Sequence, residues 1–595
     1  MKKIFLIITA ICCVAMSVKA EFVRPEAASQ YAQGVLGMSN APVPENEGSL
    51  RASGRLGQSV QPEYYVFNNP QGGWVIIAAD DRVNPVIGYS STGRFESSDI
   101  PDNLGWWMDG VADAIDQVRE QDVQASAQAM AAWERIRRND TPQGQKKEIR
   151  TALWSQDEPY NNLCPVVNGE FERSLTGCVA TAMAIVMQSN GWPTHGKGVI
   201  GGYTTSTYPT YIAPYSIESH VYDWDIMSQE DVVKGKTDKW TQEQIFQVAQ
   251  LMHDCGVAAE MDYSCEGSAS VSPSLLKGVK NNMSYSKNAS VAMRALYNSD
   301  EWFSLIKNEI DCGRAVYYGA VGEAGGHAFV CDGYETGTMG NQVRINWGWG
   351  GDYNGYYSLD LYIKAVKLQF NDDQEIIVGL APDTTNVDPV ETAPVLCYSG
   401  NSFYGIEPLV PADITLGGEV SFYMGWIRNL TERDLSLEFK VCLEDKDGQV
   451  KQEGWFANMN LSGADGYVHA AESDKTVLEV SPLLTDHFRL YYREKEGLWK
   501  PMPGNYDVLP NVEGIICGVI QDPVILVPDD CVAGQEIDLV LSLGFTHVKS
   551  VSWSVNGEAA DDGKVKLVQG RNAIRADVEY LDESTGSIYR TLQIE

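Results

Sequence analysis

The stretch SLTGCVATAMAIVMQSNGWP, residues 174–193, constrains the fold more than any other part of the chain. Val179, Ala182, Met183, Val186 and Met187 recur at i, i+3, i+4, i+7 and i+8, the stripe of an amphipathic helix. Thr176 is a candidate N-cap, and Gly191 with Pro193 marks the stop. Such a helix must be packed into a core. Its odd residue is Cys178, in the first turn directly after Gly177. Unpaired N–H groups and partial positive charge at a helix start lower a thiol pKa. On position alone the residue reads first as a buried small hydrophobe, because cysteine is among the most buried residue types.

At 595 residues the chain is too long for one core and should divide into about three to five domains. It opens with MKKIFLIITAICCVAMSVKA: two lysines, an apolar run, then Val18-x-Ala20. This predicts a secretory signal over 1–20 and a secreted protein, extracellular or at the outer surface of a bacterium. Ile11 is bulky where a lipoprotein signal needs a small residue ahead of Cys12. No later apolar run reaches the roughly 18 residues a membrane span requires, so no transmembrane segment is expected. A net charge of −35 excludes nucleic acid and anionic membrane as partners, since both need basic surface. All cysteines after the signal lie from Cys164 onward, and pairs such as Cys255–Cys265 or Cys312–Cys331 are open to an oxidising compartment. No CxxC or HExxH occurs and the seven histidines are scattered, so no metal is expected.

Residues 21–150 contain no cysteine. They hold two apolar strand runs in EYYVFNNPQGGWVIIAADDRVNPVIGYS, then a helical stretch from Asn103 to about Arg138. The polar, basic segment RIRRNDTPQGQKKEIR over 135–150 predicts an exposed linker open to proteolysis. Residues 151–383 mix helical patterns (Thr241–Cys255, Glu301–Asp311) with short strands, an α+β domain with a helical half and a sheet half. A Pro/Thr/Asp linker spans 382–394. Strand signals separated by DKDG, NG and DDG turns then predict two all-β, immunoglobulin-like sandwich modules, 395–521 and 522–595, with a break near Gln521-Asp522-Pro523. The acidic turn EDKDGQ reads as a hairpin, because the twelve-residue calcium-loop pattern is incomplete.

A thiolate catalyst needs a base, usually histidine, supplied by the fold. His327 stands out in GEAGGHAFVCDGYE, with small neighbours Gly325, Gly326 and Ala328 ahead of a strand run. His195 and His220 lie in Gly/Tyr-rich loops and His253 in a helical pattern. An imidazole base needs a partner that fixes its tautomer, and Asn346 and Trp347 follow in VRINWGWGGDYNGYYSLD. Upstream, Gln156 in ALWSQDEPYN offers a side-chain N–H to an oxyanion, beside the backbone N–H of Cys178.

Taken in order, W-x-Q (Trp154, Gln156), TGCVATAMA, GGHAFVCDGY and INWGWGG-x-x-x-GYYSLD resemble the streptopain family of secreted bacterial cysteine peptidases. The resemblance spans about residues 21–383 and implies a papain-like catalytic domain over 151–383. By that resemblance Cys178 is the nucleophile, His327 the general base and acid, and Gln156 the oxyanion-hole residue. Trp347 corresponds to the tryptophan that packs on the histidine. Asn346 is the nearest equivalent of the papain-type asparagine, and which of these two orients the ring stays open. Residues 21–150 resemble the family's α+β inhibitory pro-domain, with Asn103 in IPDNLGWWMDG similar to a cleft-blocking asparagine and maturation expected in the 135–150 linker.

The reading that follows is a secreted cysteine endopeptidase made as a zymogen. It needs no cofactor beyond a reduced thiol, acts on protein or peptide substrates, and is held by its own pro-domain as intramolecular inhibitor. A transpeptidase, amidase or transglutaminase would use the same Cys–His geometry. The tail, with binding to protein or glycan left open, admits an adhesin-like protein with a secondary peptidase domain. The intact set of Cys178, His327 and Gln156 favours cleavage.

Overall fold

The structure, a computed structural model, describes residues 22–46, 61–120, 123–138, 144–227, 240–322, 325–337, 340–359 and 374–397. Of the C-terminal part it describes 406–410, 419–445, 447–464, 468–480, 486–503 and shorter stretches from 508 to 594. The expected signal over 1–20 and the expected break at Gln521-Asp522-Pro523 lie outside the described residues. None of the described helices is long and apolar enough to cross a membrane.

The N-terminal part runs α1 (Pro25–Val35), β1 (Val43–Asn46), β2 (Tyr64–Asn68), β3 (Trp74–Ala78), β4 (Val86–Ser90), α2 (Asp102–Glu120) and α3 (Ala127–Arg138). The helical pattern read as one stretch from Asn103 is thus two helices. The Asp/Gln/Ser-rich segment between them carries no apolar stripe to bury. β2 and β3 are buried on both faces, which is why their residues read as unbroken apolar runs.

A short strand, β5 (Lys146–Glu148), leads into the central domain. There follow α4 (Cys178–Asn190), four two-residue strands, β6 (Val199–Ile200), β7 (Tyr203–Thr204), β8 (Tyr211–Ile212) and β9 (Tyr215–Ser216), and helices α5 (Gln242–Ala258) and α6 (Ser272–Asn282). The sheet half comprises β10 (Ser290–Met293), α7 (Ser299–Asp311), β11 (Val316–Gly322), β12 (Gly325–Glu335), β13 (Gln342–Asn346), β14 (Gly355–Tyr357) and β15 (Glu375–Val378). Capping boxes start α5 (Thr241 with Gln244) and α7 (Asn298 with Glu301), and each ties two otherwise unpaired N–H groups.

One sheet joins the two parts, in the order β1-β2-β3-β4-β14-β13-β12-β11-β15-β10, with β5 added beside β12. The seam is β4 against β14, Gly88 opposite Tyr357 and Tyr89 opposite Tyr356. A Cβ at Gly88 would meet the Tyr357 ring at 2.9 Å, so only glycine lets the strands close there. A single apolar cluster runs through the seam, from Trp74, Leu104 and Met108 to Phe329, Trp347 and Tyr357. The N-terminal segment is therefore folded onto the sheet of the central domain through a common core rather than standing apart.

The 135–150 linker departs from expectation. Its start is the end of α3, and residues 146–148 pair antiparallel with β12, Glu148 opposite Gly333 and Lys146 opposite Glu335. The sequence hid this because Lys-Lys-Glu is an edge-strand composition: side chains in water, backbone in the ladder. The suggested disulfides are not formed; Cys255, Cys265, Cys312 and Cys331 are all free thiols.

The tail is strand-rich. Val395–Cys397, Ile406–Val410 and Glu419–Asn429 form one sheet. Leu435–Glu444, Val450–Leu461 and His487–Glu494 belong to another. They enclose a core around Phe422, Phe439, Trp455 and Phe488. Further strands between Ile525 and Ile594 form separate small sheets and cores. The DKDG turn closes on itself, the Asp445 carboxylate accepting the N–H groups of Asp447 and Gln449.

Candidate active site

Helix α4 is buried almost all round, from Val179 to Gln188, rather than along one stripe. It is enclosed by the sheet strands β11 and β12 on one side and by α5 on another. Its cap is Gly177, not Thr176, whose hydroxyl pairs instead with that of Thr181 at 2.7 Å. Gly177 has φ +83°, and a Cβ there would stand 2.8 Å from the Ser268 carbonyl and 2.9 Å from the Met261 sulfur. The glycine is thus required by the protein's own packing. The approach to the helix is pinned on both sides. Leu175 N–H donates to Ser264 O at 3.0 Å, the Ser268 hydroxyl to Leu175 O at 2.7 Å, and Thr176 N–H to Gln156 O at 3.1 Å.

Cys178 is half-buried at the start of this helix, packed against the main core. Burial pushes its thiol pKa up, while the backbone N–H groups of Ala328, Val179 and Cys178 itself oppose that rise. The Ala328 N–H places the sulfur against β12 at the residue following His327. The packing of α4 on β12 therefore brings the two candidate catalytic residues together from positions 149 residues apart.

His327 is buried on β12. Its Nε2 lies 3.1 Å from the Trp347 carbonyl oxygen. A carbonyl only accepts, so Nε2 carries the proton and Nδ1 carries the lone pair. Nδ1 is buried and has no hydrogen-bond partner among the described residues. The ring lies near-parallel to Trp349, with centroids 4.8 Å apart, while the Trp347 and Phe329 rings stand off at 6.1 Å. Burial drives the imidazole pKa down to about 4, against the raising effect of the Trp347 carbonyl.

Of the residues singled out in sequence, the structure thus joins His327 to Trp347 directly, sets Cys178 toward the Ala328 N–H, one residue along β12 from His327, and ties Gln156 to the Cys178 segment through its backbone. Trp347 meets the histidine through its main chain. The indole nearer the ring is that of Trp349, which the sequence reading passed over, and the W-x-W spacing was the available signal. The two indoles stack at 5.2 Å with planes 3° apart. Asn346 does not orient the ring. Its amide Nδ2 donates to Thr151 Oγ1 at 3.0 Å and Ala152 O at 2.9 Å, and its Oδ1 accepts the Gly348 N–H at 3.2 Å. Asn103 falls in the first turn of α2, and its side chain lies outside the described residues. His220 and His253 surround the buried Asp254 with Tyr215 and Tyr222 on the α5 side of the domain, a separate polar cluster. Among the described residues no group of three His, Cys, Asp or Glu is placed to hold a metal ion.

The N-terminal segment backs this site with aromatic rings. Trp107 and Trp74 meet Tyr357 at 5.3 and 5.6 Å, and Tyr357 meets Trp347 at 5.4 Å. Phe95 packs on Tyr353 at 5.2 Å.

Comparison with known proteins places these features. Residues 154–357 match the Peptidase C10 family, and residues 20–115 match the Spi protease inhibitor family. The chain is 30% identical over 362 residues to the thiol protease/hemagglutinin PrtT of Porphyromonas gingivalis, covering 57% of this chain and 39% of that protein. It is 28% identical over 336 residues to streptopain of Streptococcus pyogenes, covering 53% of this chain and 80% of streptopain. A solved fragment of Prevotella intermedia prointerpain A aligns with a TM-score of 0.44 at 27% identity, over 54% of this chain and 97% of the fragment. Residues 154–357, which hold the Cys178 helix and the His327 strand, are a Peptidase C10 domain of the streptopain type, a cysteine peptidase domain preceded by a Spi-inhibitor-like segment.

Proposed function

We propose that the chain is the zymogen of a secreted cysteine endopeptidase, with Cys178 as nucleophile and His327 as base and acid. One observation carries the reading. The Cys178 sulfur sits at the helix start toward the Ala328 N–H, one residue from an imidazole whose only unprotonated nitrogen is buried without a hydrogen-bond partner among the described residues.

In the proposed cycle Nδ1 of His327 takes the Cys178 proton, and the imidazolium keeps its Nε2–H on the Trp347 carbonyl. The thiolate attacks a peptide carbonyl. The oxyanion is held by the Cys178 N–H and by the Gln156 amide, whose side chain makes no hydrogen bond among the described residues. His327 then protonates the leaving amine, and water, deprotonated by the same nitrogen, cleaves the thioester to release the acid and the thiol. No cofactor enters; the sulfur must be reduced.

In the zymogen both shifts favour the uncharged pair, a raised thiol and a depressed imidazole. Residues 21–150 act in this reading as the intramolecular inhibitor, with Asn103 toward the cleft, and the strand-rich tail forms two immunoglobulin-like modules. Secretion follows from the expected signal over 1–20, and protein substrates from the peptidase domain.

A peptide-library digest with the wild type and Cys178→Ala, reading cleavage sites and the mature N-terminus together, tests the proposal. Hydrolysis at internal bonds by the wild type alone supports it. Amine transfer without hydrolysis, or equal digestion by Cys178→Ala, rejects it.

A further inference from the structure

Between Cys331 and Gly333 the β12–β13 ladder slips by one residue, and the residue left over is Asp332. A bulge re-aims a side chain, and here it turns a carboxylate into the core: Asp332 is fully buried. Burying an unpaired charge is costly, so its partners matter. The Thr151 hydroxyl and the Arg344 guanidinium both donate to Oδ2, while the Asp332 main-chain carbonyl accepts the Ile149 N–H at 2.7 Å. Oδ1 is buried with no hydrogen-bond partner among the described residues.

Thr151 is the branch point. Its hydroxyl donates a hydrogen bond to Asp332 and accepts one from the Asn346 amide at 3.0 Å. Asn346 also holds the Ala152 carbonyl at 2.9 Å and the Gly348 N–H at 3.2 Å, thereby bracketing Trp347 from both sides. The Trp347 carbonyl is the group that accepts the hydrogen bond of the His327 Nε2–H. Five residues beyond Thr151 along the chain lies Gln156, whose carbonyl anchors Thr176 ahead of Cys178. Three separate segments, carrying Gln156, His327 and the Trp347 carbonyl, therefore converge on one carboxylate. An apolar core would hold these strands at least as stably, because a buried ion pair contributes little net stability. What a satisfied polar network adds is a single fixed geometry.

We propose that Asp332 and Thr151 are positioning residues for the Cys178–His327 reaction, locking the Trp347 carbonyl and the Gln156 segment against the histidine strand. This rests on the peptidase reading above, and two readouts keep the two apart: peptide hydrolysis, and the rate at which iodoacetamide alkylates Cys178, which needs no peptide substrate. In the mature protein Thr151→Val removes the branch point at near-constant volume. It should lower kcat about tenfold to a hundredfold, as displacing a reacting group by part of an ångström does, with KM within about twofold. Alkylation should slow in parallel, and Thr151→Ser should restore both. Asp332→Asn, which keeps the shape and removes the charge, should behave like Thr151→Val. If Thr151→Val alkylates and turns over like the wild type, or if Thr151→Ser fails to rescue while the loss follows the thermal midpoint, the pair is structural and the inference is wrong. If the wild type alkylates rapidly and hydrolyses no peptide, the peptidase reading fails, and slowed alkylation in Thr151→Val still supports the positioning role.

Discussion

The Nε2–H of His327 donates to the Trp347 carbonyl at 3.1 Å, and that hydrogen bond leaves the imidazole one basic nitrogen, Nδ1, buried and without a hydrogen-bond partner among the described residues. A papain-type site is expected to use a side-chain amide here. In this chain a main-chain oxygen does the orienting, so the tautomer is set by backbone position and not by the identity of a side chain.

The tautomer is directly measurable. In the Cys178→Ala precursor, labelled to resolve the imidazole nitrogens of His327, the resonances should show Nε2 protonated and Nδ1 bare. The ring should stay neutral until the pH approaches about 4. A ring that titrates near 6.5 would contradict its burial, and one that carries its proton on Nδ1 would contradict the hydrogen bond.

The same depressed pKa makes the precursor acid-sensitive. The folded ring titrates at about 4, below its value of about 6.5 in an unfolded chain, so between these limits the unfolded state binds more protons. Stability therefore rises with pH across that window and is lost as pH falls through it, by up to about 3 kcal/mol for this one group. Urea unfolding of the Cys178→Ala precursor between pH 7 and 4.5 should show this loss. Adding His327→Gln should flatten the curve by about 2 kcal/mol or more. An unchanged slope would assign the acid sensitivity to carboxylates elsewhere.

Much of the site was legible in the sequence because its chemistry sits on strong local signals. The near-continuous apolar run of α4 announced a buried helix, while Cys178 read by position as core and became a candidate thiol only through the ordered motifs behind it. What stayed hidden depends on tertiary register. Asn346 read as a ring partner from its place beside Trp347, yet strand alternation aims its amide away, toward Thr151 and Ala152. Asp332 looked like one more residue of a strand run, and only the bulge in the β12–β13 ladder reveals why it is buried. The seam between β4 and β14 was equally invisible, since pairing across more than 260 residues leaves no periodic trace in either strand.

Maturation should leave β5 on the enzyme. Residues 146–148 are laddered to β12, Gln145 exchanges hydrogen bonds with Thr336, and the Lys146 ammonium lies 4.1 Å over the Tyr356 ring. Lys147 reaches the Asp311 carbonyl at 2.9 Å. A protease needs several residues of unpaired extended chain, so these lysines are poor cleavage points despite their charge. Sequencing of the matured protein should find its N-terminus at or before Gln145. A dominant terminus at Ile149 or Arg150 would mean that the strand detaches first.

The last prediction concerns the first tail module, which is docked on the peptidase and not tethered beside it. Leu430, 2% exposed, belongs to the same apolar cluster as Leu275, Leu276 and Val279 of α6. The Ser274 hydroxyl donates to the Ala464 carbonyl at 2.8 Å, and Arg428 meets Glu375 of β15 at 3.3 Å with both side chains about nine-tenths buried. Lys280 pairs with Glu432 at 2.7 Å nearer the surface. These contacts differ in weight. Leu430→Ala opens a cavity in a shared core and should cost about 2–5 kcal/mol, while Glu432→Ala removes a partly exposed ion pair and should cost less than about 1 kcal/mol. Thermal unfolding followed by loss of protection from alkylation of Cys255, a thiol buried in the same apolar cluster, reads the effect on the peptidase itself. Leu430→Ala should lower that midpoint clearly and Glu432→Ala barely. Equal, negligible effects would mean that the peptidase holds its fold without the module, whereas a shift in Leu430→Ala alone makes the tail part of the catalytic domain's core.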